Sequence, residues 1–341
     1  VTALVNLIVM LGMLVVVPCG LTLIHGPGIA AVRVFWLVGA VPGSVALWLP
    51  RGGPATGLAA VYAAATVVLA ATAPLRLART RPLAPREIAV LTALVTPSVA
   101  GLALVAERSG HRLLGFDLKI LELTVPHFHF AGFTAALMAG LVCRATPGRV
   151  AGRLAALSVP VGTLLVLAGY FIDDWAELAG AVVLTAGMWL VGLLTWREIR
   201  TGAPDRLTRG LLGTSAAVLL ATMLLALSWA LGEATGIPHP TPAWMAATHG
   251  LGNALGFALC SVLAWRRLRP SDEQPYERRD EQRVERPVER TAAQPDVRLE
   301  PDGRLEPGGR LEPGGRPEPD EGPEPVRDGA EKGVLTAGTP A

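Results

Sequence analysis

Two imidazoles two residues apart, His127 and His129, stand inside the apolar run Leu123-Thr124-Val125-Pro126-His127-Phe128-His129-Phe130-Ala131-Gly132-Phe133. A second polar island, His249-Gly250-Leu251-Gly252-Asn253, opens a later apolar run. The chain has six histidines, so half of them lie where their neighbours demand burial. Ionisable groups at such depth are costly; they face a bundle interior and there pair, bind something or line a path. Three chemistries fit these residue types. Neutral imidazoles of His127, His129 and His249 would supply three nitrogens to a divalent transition metal such as zinc or iron, or to copper, with a fourth position open. Glu122 or Asp173 would then be a fourth ligand, a hydrogen-bond partner of a ligand, or the base acting on metal-bound water. Alternatively the same groups carry protons in a transporter. In the plainest reading, His127 and His249 hydrogen-bond across helices while His129 bonds a backbone carbonyl. The spacing leaves all three open.

Local geometry sharpens the question. Glu122 and His129 are seven apart and point the same way on a regular helix, whereas His127 and His129 are about 200° apart. Pro126 removes a backbone donor and crowds the preceding turn, so a kink or unwinding is expected there. Such a break would turn both rings toward one site. His249 and Asn253 share a face without help, and Gly250, Gly252 and Gly256 thin that helix for close approach of another.

The elements that must hold these groups are long apolar segments. Stretches able to cross about 30 Å of hydrocarbon fall near 2–24, 31–50, 55–75, 88–106, 118–142, 153–172, 176–196, 210–232 and 244–264. The second is interrupted by Pro42, Gly43 and Ser44. Basic residues alternate between the two sides of these spans, 15 against 4. The richer side carries groups such as Arg76, Arg79, Arg81 and Arg86, and the poorer side only Arg51, Arg108, Arg112 and Lys119. The positive-inside bias therefore predicts a multi-pass protein of the cell membrane with its N-terminus outside and its C-terminus cytoplasmic. Trp175, Trp196, Trp244 and Trp265 are placed at span ends, as an aromatic belt requires. The apolar start without a basic n-region predicts a retained first span. With this orientation His127 and His129 lie roughly 13–17 Å below the outer surface, and His249 about 8 Å below Trp244. Asp173 sits in the outer link between the sixth and seventh spans. The convergence predicts one shared pocket in the outer half of the bundle.

Composition divides the chain in two. Residues 1–269 hold 19 Lys/Arg and 10 Asp/Glu; residues 270–341 hold 11 and 18, so the parts carry +9 and −7. The second part repeats six residues, Arg298-Leu299-Glu300-Pro301-Asp302-Gly303 and then Arg304-Leu305-Glu306-Pro307-Gly308-Gly309, with further copies from Arg310 and Arg316. Frequent Pro and Gly with alternating charge and little apolar content build no core, which predicts a disordered cytoplasmic tail. Cys19, Cys143 and Cys260 lack close-spaced partners and read as small buried hydrophobes. No Walker loop, Rossmann glycine pattern, His-Glu-x-x-His box or serine elbow argues for ATP, dinucleotide, zincin or hydrolase chemistry. The basic residues follow from topology, so no nucleic-acid partner is expected; membrane lipids and a lipid or small apolar substrate are.

The run from Leu123 to Phe133 resembles the His-Phe-His-aromatic-Ala-Gly-Phe signature of YndJ-like bacterial membrane proteins. Met245-Ala246-Ala247-Thr248-His249-Gly250-Leu251-Gly252-Asn253-Ala254-Leu255-Gly256-Phe257 is similar to the same family's His-Gly…Asn-Ala…Gly-Phe segment. The resemblance covers most of 1–269 and none of the tail. It implies a polytopic membrane protein and supplies no reaction. The expectation is thus an all-α transmembrane bundle of about nine spans, 1–269, with a tail at 270–341. Its candidate pocket is His127, His129, His249, Asn253, Glu122 and Asp173. It would bind a metal or small ligand, with a proton-coupled transporter or a structural membrane component as the alternatives.

Overall fold

The structure is a computed structural model that describes residues 2–26, 28–80 and 83–268; the tail expected at 270–341 lies outside them. The described residues form helices and no strand. Nine of the helices are long and apolar enough to cross a membrane: α1 Thr2–Leu21, α2 Ile29–Ala46, α3 Gly53–Arg79, α4 Pro85–Ser109, α5 Leu118–Ala145, α6 Val150–Ile172, α7 Asp174–Gly202, α8 Arg206–Thr235 and α9 Pro242–Arg267. At 1.5 Å per residue, even the shortest spans most of a hydrocarbon layer. Their outward faces are apolar too: Leu7, Phe35, Val38, Leu164, Leu220 and Leu224 are all exposed. A water-soluble surface does not present contiguous apolar area of that extent. Nine such helices with apolar outward faces fit a multi-pass membrane protein.

Sequence signals set the helix ends. Asp173 accepts the Ala176 N–H at 2.8 Å and Asp205 the Thr208 N–H at 2.9 Å, capping α7 and α8. Gly110 and Gly236 stop α4 and α8 in left-handed backbone, with φ 72° and 73°, where any side chain would be strained.

Consecutive helices pack as neighbours, most extensively α6 on α7. That hairpin turns on Asp173 alone and closes through small residues. A Cβ on Gly162 would stand 2.5 Å from the Leu184 backbone, and one on Gly180 2.4 Å from the Val166 nitrogen. The interrupted second span has the same logic. Gly39 and Gly43 leave room for Ala65 and Tyr62 of α3, and α2 continues through Pro42. Helix α5 is the most buried span, and α1, the next most buried, touches it along with α2 and α9. The histidine-bearing helix is the bundle's axis.

The aromatic belt is mostly as expected. Trp175, Trp196 and Trp244 are exposed at helix ends and Trp48 joins them, but Trp265 is buried. It packs in the apolar core beside the last turn of α9, because a large indole covers more apolar surface there than at the rim.

Candidate functional site

Four spans contain π turns among the described residues, and the turns of three of them meet. They are Gly12–Val16 in α1, Phe128–Thr134 in α5 and Gly252–Leu259 in α9, each in contact with the other two. Widened turns pair N–H with the fifth carbonyl back, leaving a carbonyl in need of another donor, and they cluster at functional sites. Side chains fill the need here. The Thr134 hydroxyl donates to the His129 carbonyl at 2.9 Å, and the Trp36 indole N–H of α2 donates to the Met13 carbonyl at 2.7 Å.

His129 lies at the centre of this junction and is fully buried. Its Nε2 is 2.5 Å from the hydroxyl of Tyr62, a fully buried residue of α3. The Trp36, Tyr62 and His129 rings meet edge to face, with centroids 5.5–6.3 Å apart. Gly12 of α1 closes the other side of the imidazole, where a Cβ would fall 2.8 Å from Nδ1. Among the described residues Nδ1 has no hydrogen-bond partner. Whichever tautomer is present, one ring nitrogen is left unpaired: a bare acceptor if Tyr62 receives the proton, an idle donor if Tyr62 gives it.

His249 belongs to a different set. It donates from Nδ1 to the Thr222 carbonyl of α8 at 2.8 Å, which makes Nε2 the acceptor for the Asn253 amide at 3.2 Å. The Thr222 hydroxyl donates to Asn253 Oδ1 at 2.9 Å and closes the ring of bonds. Gly252 permits this approach, for a Cβ there would stand 2.9 Å from the Thr222 methyl. Every polar atom of the ring has a partner.

The remaining expected residues divide further. Helix α5 does not break at Pro126; it runs through to His127 and widens only after it. The two rings therefore stay on opposite sides. His127 is exposed and bonds the Leu123 carbonyl at 2.7 Å. The backbone-carbonyl bond expected of His129 is made by His127 and His249 instead, because His129 has Tyr62. Glu122 pairs with Lys119 at 3.0 Å through one oxygen and buries the other without a partner. Asp173 is exposed and its carboxylate is occupied by the α7 N-terminus, so it does not join the histidines. No group of three or more His, Cys, Asp or Glu side chains spaced to hold a metal ion occurs among the described residues. The expected ligands His127, His129 and His249 make their hydrogen bonds to different groups, the Leu123 carbonyl, the Tyr62 hydroxyl and the Thr222 carbonyl.

Tyr62, Trp36, Thr222 and Gly12 escaped the sequence reading. A signal existed for two of them: the chain has only three tyrosines, and Tyr62 and Trp36 sit in mid-span rather than at an interface. A further buried group was missed at the end of α4. Glu107 is buried with Arg108, and it also takes Arg51 at 2.7 Å. Arg108 reaches carbonyls at and just beyond the end of α2, those of Ala46, Leu47 and Leu49, at 3.3–3.4 Å. This pair locks helix ends together and lies apart from the imidazoles.

The family model described as YndJ-like protein matches residues 7–257, which takes in both histidine segments, the π turns of α1 and α5, and all but the last two residues of the π turn Gly252–Leu259. No curated protein and no solved structure matches the chain. On the extent of that match, the chain belongs to the YndJ-like family.

Proposed function

We propose that this multi-pass protein handles protons through the Tyr62–His129 pair, as the gate of a proton-coupled transporter of the cell membrane. The N-terminus would be outside and the C-terminus cytoplasmic. The observation that carries this reading is the pair itself. A phenol and an imidazole are hydrogen-bonded at 2.5 Å, while the far nitrogen of the same ring, Nδ1, is aimed at Gly12 and has no partner among the described residues. A buried polar atom left unpaired costs about 1–3 kcal/mol, and packing alone gives no return for it. A ring that passes a proton from one nitrogen to the other needs one of them vacant.

The surroundings supply the movement. Sealed on all sides, the imidazole is closed to water in this state, so a cycle must open α1 or α5 around it. Both helices carry a π turn at that level, and shifting the extra residue along a helix turns its side chains without breaking it. By contrast, the closed Thr222–Asn253–His249 ring favours a structural part for His249, holding α9 to α8.

Purified protein in liposomes with an internal pH-sensitive dye tests the reading under an imposed membrane potential. Proton flux above that of empty liposomes is expected, abolished by His129→Gln and reduced at least tenfold by Tyr62→Phe. Wild-type protein that passes no protons, or flux indifferent to His129→Gln in a variant that still melts cooperatively, overturns it.

A further inference from the structure

At the opposite end of α9 from His249, its last turns and the first turns of α8 leave a groove of about 420 Å³. Leu207 and Leu211 of α8 and Leu263 of α9 form its apolar wall, and Arg266 and Arg267 stand at its mouth. The two arginines are not equivalent. Arg267 is engaged, with Nε on the Thr208 hydroxyl at 3.0 Å and a terminal nitrogen on Asp205 at 3.3 Å. Arg266 is exposed and touches only the Cys19 sulfur, at 3.1 Å, a weak acceptor that leaves most of its five donors unused. No acidic side chain pairs with it among the described residues. Arg206 and Arg209 are exposed on the same turns of α8, and Asp205 pairs with Arg267.

A leucine wall running toward the membrane and a cationic rim at the helix ends are the two halves of one recognition problem. The depth fits: exposed Trp196 marks the same end of neighbouring α7. A guanidinium fork suits phosphate oxygens, and the leucines suit methylene chains. A free phosphate ion would satisfy the rim and leave the leucines uncovered. We propose that this groove binds an anionic phospholipid, phosphate against Arg266 and acyl chain along Leu207, Leu211 and Leu263. The site does not depend on the Tyr62–His129 pair or on which side of the membrane this end lies.

The test uses the full chain in mild detergent, titrated with short-chain phosphatidylglycerol, phosphatidylcholine of equal chain length, or inorganic phosphate. The readouts are the melting temperature and bound lipid by native mass spectrometry. Phosphatidylglycerol should bind and raise the melting temperature, while phosphatidylcholine and inorganic phosphate should do neither. Arg266→Gln should weaken phosphatidylglycerol binding about fivefold, the contribution of one cation at an anionic surface. Arg266→Lys should recover part of it. Arg79→Gln, an exposed arginine on α3, should leave it unchanged. Equal binding of phosphatidylcholine, or a shift produced by inorganic phosphate alone, would overturn the proposal. So would an equal loss in Arg79→Gln, since the effect would then belong to the basic face at large.

Discussion

His129 has two nitrogens and one partner, and the difference between them separates a stabilising role from a functional one. The Tyr62 hydroxyl bonds Nε2, and the average worth of such an interhelical bond in a membrane is about 0.6 kcal/mol. Tyr62→Phe should therefore cost about that much in an unfolding titration, yet reduce proton flux steeply. Gly12→Ala should do the reverse in stability: a Cβ 2.8 Å from Nδ1 overpacks a sealed site, with a loss of about 1–3 kcal/mol. If Tyr62→Phe proves the more destabilising of the two, the pair is chiefly a structural tie. Asp205, outside the spans, offers a pH readout. Hydrogen bonds from the Thr208 N–H and hydroxyl, aided by Arg267, hold its carboxyl down at about 2 against an ordinary 3.8. The folded state favours the carboxylate, so its stabilisation is complete above pH 3.8 and lost as pH falls through about 2. Asp205→Asn should flatten the melting temperature across that window; an unchanged slope would remove the cap from the account. Residue identities were legible to uneven depth. Buried histidines announce themselves in an apolar run, and Asn253 was found by sharing a face with His249. Asp173 caps α7, and in sequence an acid at a helix start looks the same whether it caps or catalyses. Tyr62 stayed hidden because a phenol among alanines and valines carries no charge to betray its burial.

Among the elements, the nine spans could be read from apolar length alone, since a hydrocarbon layer imposes that length directly. The π turns could not. They differ from an α-helix by one residue of hydrogen-bond register, and composition does not record register. Pro126 raised the expectation of a break in α5; the helix instead continues through it and widens from Phe128, two residues later, where the Thr134 hydroxyl serves the His129 carbonyl. That is why the two histidines of His127-x-His129 stay on opposite sides and why a shared metal does not follow from their spacing. The glycines carry the other element-scale lesson. In α7, Gly180 meets the Val166 backbone with no room for a methyl group, whereas a Cβ on Gly192 would find its nearest neighbour at 3.6 Å. Gly180→Ala must push α6 and α7 apart, because backbone cannot swing away as a side chain does. A loss at or above the top of the usual 1–3 kcal/mol range is expected by detergent unfolding. Gly192→Ala should stay within about 0.5 kcal/mol. Similar losses from both would mean that the hairpin is not the rigid unit its contacts imply.

Over the whole molecule, the two ends of the bundle differ in how their charges are answered. All four basic residues on the sparse side are paired: Arg51 and Arg108 with Glu107, Arg112 with Asp117, and Lys119 with Glu122. On the rich side Arg33, Arg79, Arg144, Arg153, Arg197 and Arg206 have no acidic partner among the described residues. Topology follows the number of Lys and Arg rather than net charge, and the pairing adds that the unbalanced positive charge of the described residues lies mostly at one end. An anionic cytoplasmic leaflet would hold that end. The orientation can be read along α8, whose 30 residues put its ends about 45 Å apart. Cys19, Cys143 and Cys260 would first be replaced by serine to give a silent background. Thr201→Cys and Pro238→Cys then place single thiols at exposed positions before and after the helix. A membrane-impermeant maleimide should label Pro238→Cys in intact cells and Thr201→Cys only after permeabilisation. The reverse pattern would invert the protein and put the His129 junction nearer the cytoplasm. Labelling of both thiols in intact cells would mean that α8 does not cross the membrane, and neither the charge asymmetry nor the proton path would survive it.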